Sequence, residues 1–251
     1  MKPIATFSIV AHDPVRQEWG IAVQSKFLAV GAVVPWAKAG VGAVATQSYA
    51  NVSYGFEGLE LMAAVKTAVE TIAAVTAADE QRETRQVGMV DAQGGAASFT
   101  GDGCHEWAGG IVGDGYACQG NILLPGTVEA MASTFEEARA AGGDLEQWLI
   151  ASLAAGQEAG GDSRGRQSAS LLVVREGGGY GGDNDRYLDL RVDDDPFPIR
   201  KLHHLLRLHR LYRGTVKQED LIPLADIASD LQGLLIRTGQ YDGEINGRFT
   251  P

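Results

Sequence analysis

The chain has 251 residues, 45% of them hydrophobic, enough for one sizeable core or for one domain with a short appendage. Its 32 acidic residues outnumber 21 basic ones and leave a net charge of −11. That balance argues against a nucleic-acid binder, whose affinity comes from Lys and Arg neutralising phosphates, and against an anionic membrane surface. Ordinary apolar content falling in periodic runs excludes a disordered chain, and 33 glycines imply many tight turns or close approaches.

The start, Met1-Lys-Pro-Ile-Ala-Thr6, is not a secretory signal, because its short apolar run meets His12, Asp13 and Pro14 too early. No stretch approaches 18 uninterrupted apolar residues, so no transmembrane helix is expected. Without an export signal, Cys104 and Cys118 read as a reduced pair, and the expected compartment is the cytoplasm.

In chain order, Thr6 to Ala11 and Trp19 to Gln24 read as two strands of a hairpin, joined by the turn chemistry of His12 to Glu18. Val30 to Val34 and Val41 to Gln47 read as two more strands. Gly55 to Ala78 has helical spacing, with Leu59, Met62, Ala63, Val65, Val69, Ile72 and Ala73 on one stripe. Arg85 to Asp91 and Gly95 to Thr100 form a hairpin through Ala92-Gln-Gly94, and Tyr116 to Leu123 is a further strand.

The period then changes. Val128 to Ala140 and Leu145 to Ala155 read as helices, with glycine ending the first and Asp144 capping the second. Ser168 to Arg175 and Tyr187 to Val192 are partner strands across a glycine-rich turn. This order, on mostly hairpin-connected strands, predicts an α+β layered sandwich rather than a Rossmann fold. Composition shifts after Asp193-Asp-Asp-Pro196. Pro198 to Tyr212 is an amphipathic helix with three of the five histidines, Gly214 to Asp220 is linker-like, and Ile222 to Thr238 is helical. The expected organisation is a main domain over residues 1–213 and a small helical appendage over residues 214–251.

Several site types fit poorly. His203, His204 and His209 lack the i,i+3 or i,i+4 spacing of a metal pair and read as part of a solvated basic helix. Cys104-His-Glu106 has three diverging neighbours, weak as a zinc site and only a minor candidate as a cysteine nucleophile with a base. Asp183, Asp185, Asp189 and the run Asp193–Asp195 lack the EF-hand glycine and glutamate. Gly177 to Gly182 opens no helix and lacks the lysine of a phosphate loop, and Gly-x-Ser-x-Gly is absent. No metal and no cofactor is expected.

Polar residues on hydrophobic strands remain, where each needs a reason. They are Thr6, Ser25-Lys26, Thr46-Gln47, Gln119-Gly-Asn121, and Arg164-Gly-Arg166-Gln-Ser168 leading into a buried strand. Singly, each suits a hydrogen-bonded structural role. Together they offer a hydroxyl, an ammonium, amide donors for an oxyanion and a guanidinium for a carboxylate, the parts of an amide hydrolase.

Ala5-Thr-Phe-Ser-Ile-Val-Ala-His-Asp-Pro14, the run from Ser25-Lys-Phe-Leu to Ala45-Thr-Gln47, Gln119-Gly-Asn121, Asp162-Ser-Arg-Gly-Arg-Gln-Ser168 and Tyr187-Leu-Asp-Leu-Arg-Val-Asp-Asp194 resemble the bacterial and archaeal family called domain of unknown function 1028. The resemblance covers about Thr6 to Tyr212. It implies kinship with N-terminal nucleophile hydrolases and their four-layer αββα sandwich. In that superfamily a Thr, Ser or Cys becomes the first residue, and its own α-amine serves as general base. Thr6 here follows Met-Lys-Pro-Ile-Ala, so the implied mechanism needs the Ala5–Thr6 bond cut. The tail from Leu231-Gln to Gly247-Arg-Phe249 resembles the first half of a peptidoglycan-binding-like module.

The expectation is an amidohydrolase acting on a small amide or a peptidoglycan-derived fragment. Thr6 is its nucleophile, Ser25 and Lys26 tune it, Asn121 or Gln47 donates to the oxyanion, Gln119 lies at the substrate and Arg166 orients it. The alternative is a protein on the same fold that binds a small ligand or wall fragment without catalysis. A homo-oligomer is expected on general grounds.

Overall fold

The computed structural model describes residues 6–214 and 222–248. Two antiparallel sheets and, among the described residues, six α-helices make up the fold. The first sheet has the order β10-β9-β2-β1-β8-β7, with β1 Thr6–Asp13, β2 Glu18–Ser25, β7 Gly109–Gly113, β8 Tyr116–Asn121, β9 Ser168–Val174 and β10 Arg186–Val192. The second has the order β3-β4-β5-β6, with β3 Pro35–Lys38, β4 Gly42–Ser48, β5 Arg85–Asp91 and β6 Ala96–Thr100.

Strand alternation explains the layers, because successive side chains point to opposite faces. Phe7, Ile9 and Ala11 of β1 pack in one cluster with Val128, Met131 and Phe135 of α3 (Thr127–Ala140) and with Leu145, Leu149 and Leu153 of α4 (Leu145–Glu158). Ile199, Leu202 and Leu206 of α5 (Pro198–Arg213) join the same cluster. Val10 of β1 faces the other way, into a second cluster with Trp19, Ile21, Ala43, Ala45 and Val90 between the sheets. A third cluster joins Val44, Val87 and Met89 to Tyr54 and Met62 of α1 (Ser53–Ala63) and to Ile72 and Val75 of α2 (Ala68–Ala77). Helices therefore cover the outer face of each sheet, and both strand centres are buried on two sides.

Three elements differ from the sequence expectation. The run Val30 to Val34 is a 3-10 turn at Val30–Ala32 rather than a strand; its valines fill the space between the sheets, and the strand begins at Pro35. Proline suits that first position because it cannot donate into a ladder. The single helix expected from Gly55 to Ala78 is two helices, broken where Val65 takes a left-handed φ of 67° and Thr67 begins a capping box with Glu70. Strand β7 was not anticipated, being glycine-rich. A Cβ on Gly110 would lie 2.7 Å from Ser98 Oγ, so this strand passes close to the facing sheet.

The chain divides into two compact units, one through Leu206 and one from Arg207 onward, a division inside α5. In the second unit, α6 (Leu224–Arg237) buries Gln232. Gln232 Oε1 accepts from the N–H groups of Asn246 and Gly247, both at 2.9 Å, while its Nε2 donates to Asn246 Oδ1 and Arg248 O. One amide thus closes the turn after the helix, which gives the Leu231-Gln232 pair a structural reason. Phe249 and most of the linker, residues 215–221, lie outside the described residues.

At the apolar end of the space between the sheets, buried His12 stacks on Trp19 with ring centroids 4.7 Å apart. Burial lowers the His12 pKa below its ordinary 6.5, against the opposing pull of Asp13 and Asp91. The unfolded chain therefore binds this proton more readily, and stability falls as pH drops through 6.5 toward the lower folded value. His12→Phe should lose less of its urea midpoint than the wild type between pH 7 and pH 5; parallel pH profiles would rule the effect out.

Candidate functional site

The space between the sheets is apolar at one end and polar at the other. Along β1 the residues facing it run Val10, Ser8, Thr6; along β8, Ala117, Gln119, Asn121; along β4, Ala43, Ala45, Gln47. Each strand changes character toward the same end, and Ser25 and Gln86 complete the set. Thr6, Ser8, Ser25, Gln47, Gln86, Gln119 and Asn121 are all fully buried.

Thr6 begins β1 between two neighbours, in register with Ser25 of β2 and Asn121 of β8. Its hydroxyl donates to Ser25 Oγ at 3.1 Å. Gln86 organises the rest. Its Nε2 donates to the carbonyl of Gly120 and to Thr100 Oγ1, both at 2.8 Å, which fixes the amide's orientation. Its Oε1 accepts from Gln47 Nε2 at 2.8 Å and from Asn121 Nδ2 at 2.9 Å. Gln47 Nε2 also reaches the carbonyls of Thr6 and Gln119 at 3.4 Å, and Gln47 Oε1 accepts from Ser8 Oγ at 2.7 Å. Ser8 Oγ in turn accepts from Gln119 Nε2 at 2.7 Å. Gln119 fits only because Gly88 faces it, since a Cβ there would lie 2.0 Å from Gln119 Oε1.

Five of the seven residues expected from sequence, Thr6, Ser25, Gln47, Gln119 and Asn121, therefore come together. Lys26 and Arg166 do not join this buried group. Lys26 is exposed, with its Nζ donating to Arg166 O at 3.3 Å, and the Arg166 guanidinium lies over the Phe197 ring at 5.0 Å. Both stand on connections at the same end of the sheets. Asp162 secures them: its buried carboxylate accepts from Lys26 N–H at 2.9 Å and pairs with Arg164 at 2.9 Å.

Sequence reasoning missed Gln86, Ser8 and Asp162. Gln86 met the criterion already applied elsewhere, a polar side chain on an apolar strand facing the same way as Gly88 and Val90. Beside it, Arg85 pairs with Asp79 at 2.8 Å, and Asn51 and the Tyr54 hydroxyl also donate to Asp79. Burial pushes the Asp79 carboxyl up, but Arg85 and these donors outweigh it and hold the group well below the usual carboxylate range.

The competing site types find little support in the geometry. Cys104 and Cys118 are free, buried thiols. Burial pushes the Cys104 thiol up, away from the thiolate a nucleophile requires, and the thiol donates to Arg85 O. The His105 ring lies beside Tyr49, at 6.1 Å between centroids. Among the described residues, no group of three His, Cys, Asp or Glu side chains is placed to hold a metal, and no helix is long and apolar enough to cross a membrane.

The amide network has a direct test against a second buried glutamine. Gln24 is fully buried on the opposite face of β2, and neither side-chain atom has a protein partner. Gln86→Leu would strand the Asn121 donor, take the shortest acceptor from Gln47 Nε2 and remove the side-chain donor from the Gly120 carbonyl, destabilising by about 3 kcal/mol or more. Gln24→Leu removes two unpaired groups and should be neutral or stabilising. Equal losses in urea denaturation would refute the distinction.

A crystal structure of a protein from Silicibacter pomeroyi, described as belonging to the DUF1028 family, superposes with a TM-score of 0.73 at 29% sequence identity. The match covers 86% of this chain and 92% of that one. No curated protein matches the chain. The model of the family of unknown function DUF1028 matches residues 6–202, beginning at the first residue of β1 and ending inside α5. The chain therefore belongs to the DUF1028 family.

Proposed function

We propose that the protein is an N-terminal nucleophile amidohydrolase acting on a small amide or a peptidoglycan-derived fragment. The observation that carries this reading is the buried Thr6–Ser25 hydroxyl pair at the first residue of β1, set between β2 and β8 in the polar half of the space between the sheets. The helix, sheet, sheet, helix order of layers supports it, being that of the superfamily which the sequence motifs resemble.

In this mechanism the Ala5–Thr6 bond is first cut, freeing the Thr6 α-amine. The amine takes the proton from Oγ1 as Oγ1 attacks the substrate carbonyl, and that proton passes to the departing amine. Water then cleaves the acyl ester and restores the hydroxyl. Ser25 holds Oγ1 in place through the bond of 3.1 Å. Arg166, over the Phe197 ring, and Lys26 supply positive charge at the rim for a substrate carboxylate.

A second reading, ligand binding without turnover, draws on the complete burial of Thr6 and on its lying sixth in the sequence, where an uncut chain leaves it no free α-amine. Intact mass and N-terminal sequencing of protein from its native host separate the two. A chain beginning at Thr6 is expected for the hydrolase; an uncut chain would transfer the case to the binding protein. Thr6→Ala should reduce amide turnover by about a thousandfold or more and cost about 1 kcal/mol of stability from the lost hydroxyl pair. Unchanged turnover would sink the hydrolase reading.

A further inference from the structure

The amide network fixes more than its own stability, because it determines which atom each side chain has left to offer. Gln86 Nε2 faces the Gly120 carbonyl, and Gln86 cannot reverse without setting two oxygens against each other. Its Oε1 must therefore accept, and Asn121 must present Nδ2 to it, at 2.9 Å. Asn121 is left with its Oδ1, fully buried and without a protein donor. It sits in register with Thr6, on the face that Thr6 shares. The backbone beyond it is fixed as well: Ile122 N–H donates to His105 O at 3.0 Å and Leu123 N–H to Trp107 O at 3.1 Å. The element beside Thr6 is thus a rigidly held acceptor.

A buried carbonyl oxygen with no partner is unfavourable, and the group that relieves it must be a donor. An ester oxygen, a carboxylate or a tertiary amide has no hydrogen to give. We propose that Asn121 Oδ1 recognises an N–H of the ligand, so that this site selects primary and secondary amides over the corresponding esters and tertiary amides. The proposal deepens the hydrolase reading and rests on it for access to the site beside Thr6. It leaves Ser25 and the α-amine their roles and gives Asn121 the reading of the leaving-group nitrogen.

The test uses the purified full chain in the form its host produces, with acetamide as probe and methyl acetate as its match lacking N–H. Binding is followed through the Asn121 side-chain amide resonances, assigned by their loss in Asn121→Ala. Acetamide should shift them at about tenfold lower concentration than methyl acetate, the worth of one hydrogen bond to an otherwise unpaired buried carbonyl. Asn121→Ala should abolish that preference, read on the neighbouring backbone amides. Asn121→Asp should keep it, because burial keeps the acid protonated, so that it donates to Gln86 and still offers an oxygen. If Asn121→Ala does not fold, the wild-type comparison of the two probes decides alone. Equal binding of the probes, no acetamide binding, or a preference surviving in Asn121→Ala would overturn the proposal. Ammonia release from acetamide is measured separately. Binding with the expected preference but no ammonia would count against the hydrolase reading alone; ammonia without the preference would count against the Asn121 assignment alone.

Discussion

The side-chain amide of Gln86 is the hub of the hydrogen bonds that join the two sheets at their polar end, with Gln47 crossing beside it. Gln86 stands on β5 of the four-stranded sheet, donates to the Gly120 carbonyl of β8 in the other, and gathers the amides of Gln47 and Asn121 onto its single oxygen. Polar side chains are expensive inside a β-sandwich, and a half-paired network is worse than none. Here nearly every donor has a destination. What remains unpaired, Asn121 Oδ1 and Gln119 Oε1, is confined to acceptors. Such a network sets directions as well as energies, since reversing one amide would force a chain of oxygen–oxygen contacts.

The opposite end of the same space is apolar apart from His12, stacked on Trp19. Val10, Trp19, Ile21, Val23, Ala43, Ala45 and Val90 interlock there as an ordinary hydrophobic core. That half fixes strand register, because a one-residue slip would turn every apolar side chain to the wrong face. Register in turn sets Thr6 opposite Ser25 and Asn121. The polar end is therefore positioned by packing at the other end, and its own residues need not supply the apolar contacts that set register.

Much of this was legible in the sequence. Alternation placed most strands within a residue or two, and polar residues on apolar strands pointed to Thr6, Ser25, Gln47, Gln119 and Asn121. The errors have physical causes. Val30 to Val34 has the composition of a strand but fills the core as a turn, and periodicity cannot distinguish those two uses of valine. The break between the two helices after β4 was visible as Thr67-x-x-Glu70, but the apolar stripe running through it masked the capping signal. Lys26 adjoins Ser25, yet neighbours on a strand end diverge, so adjacency in sequence did not carry its ammonium into the buried group. Gln86 went unnoticed for the opposite reason. It follows Arg85, and the pair reads as a polar strand start, although Arg85 turns to Asp79 while Gln86 turns inward.

The placement of Thr6 joins these strands of argument. A hydroxyl at the first residue of a central strand has neighbours on two sides and rigid backbone beneath it, and it needs no loop to hold it. The cost is access, because the same neighbours that orient the hydroxyl also enclose it. Thr6 is fully buried, with its hydroxyl already bonded to Ser25. As a nucleophile in the proposed hydrolase, a group so well oriented and so well covered would still lack its base while it stands in an ordinary peptide bond. In the proposed hydrolase, cutting the Ala5–Thr6 bond would create the base. On that proposal, pre-organisation by the sheets and activation at the N-terminus are separate devices. The first belongs to the folded network around Gln86, and the second to a single peptide bond.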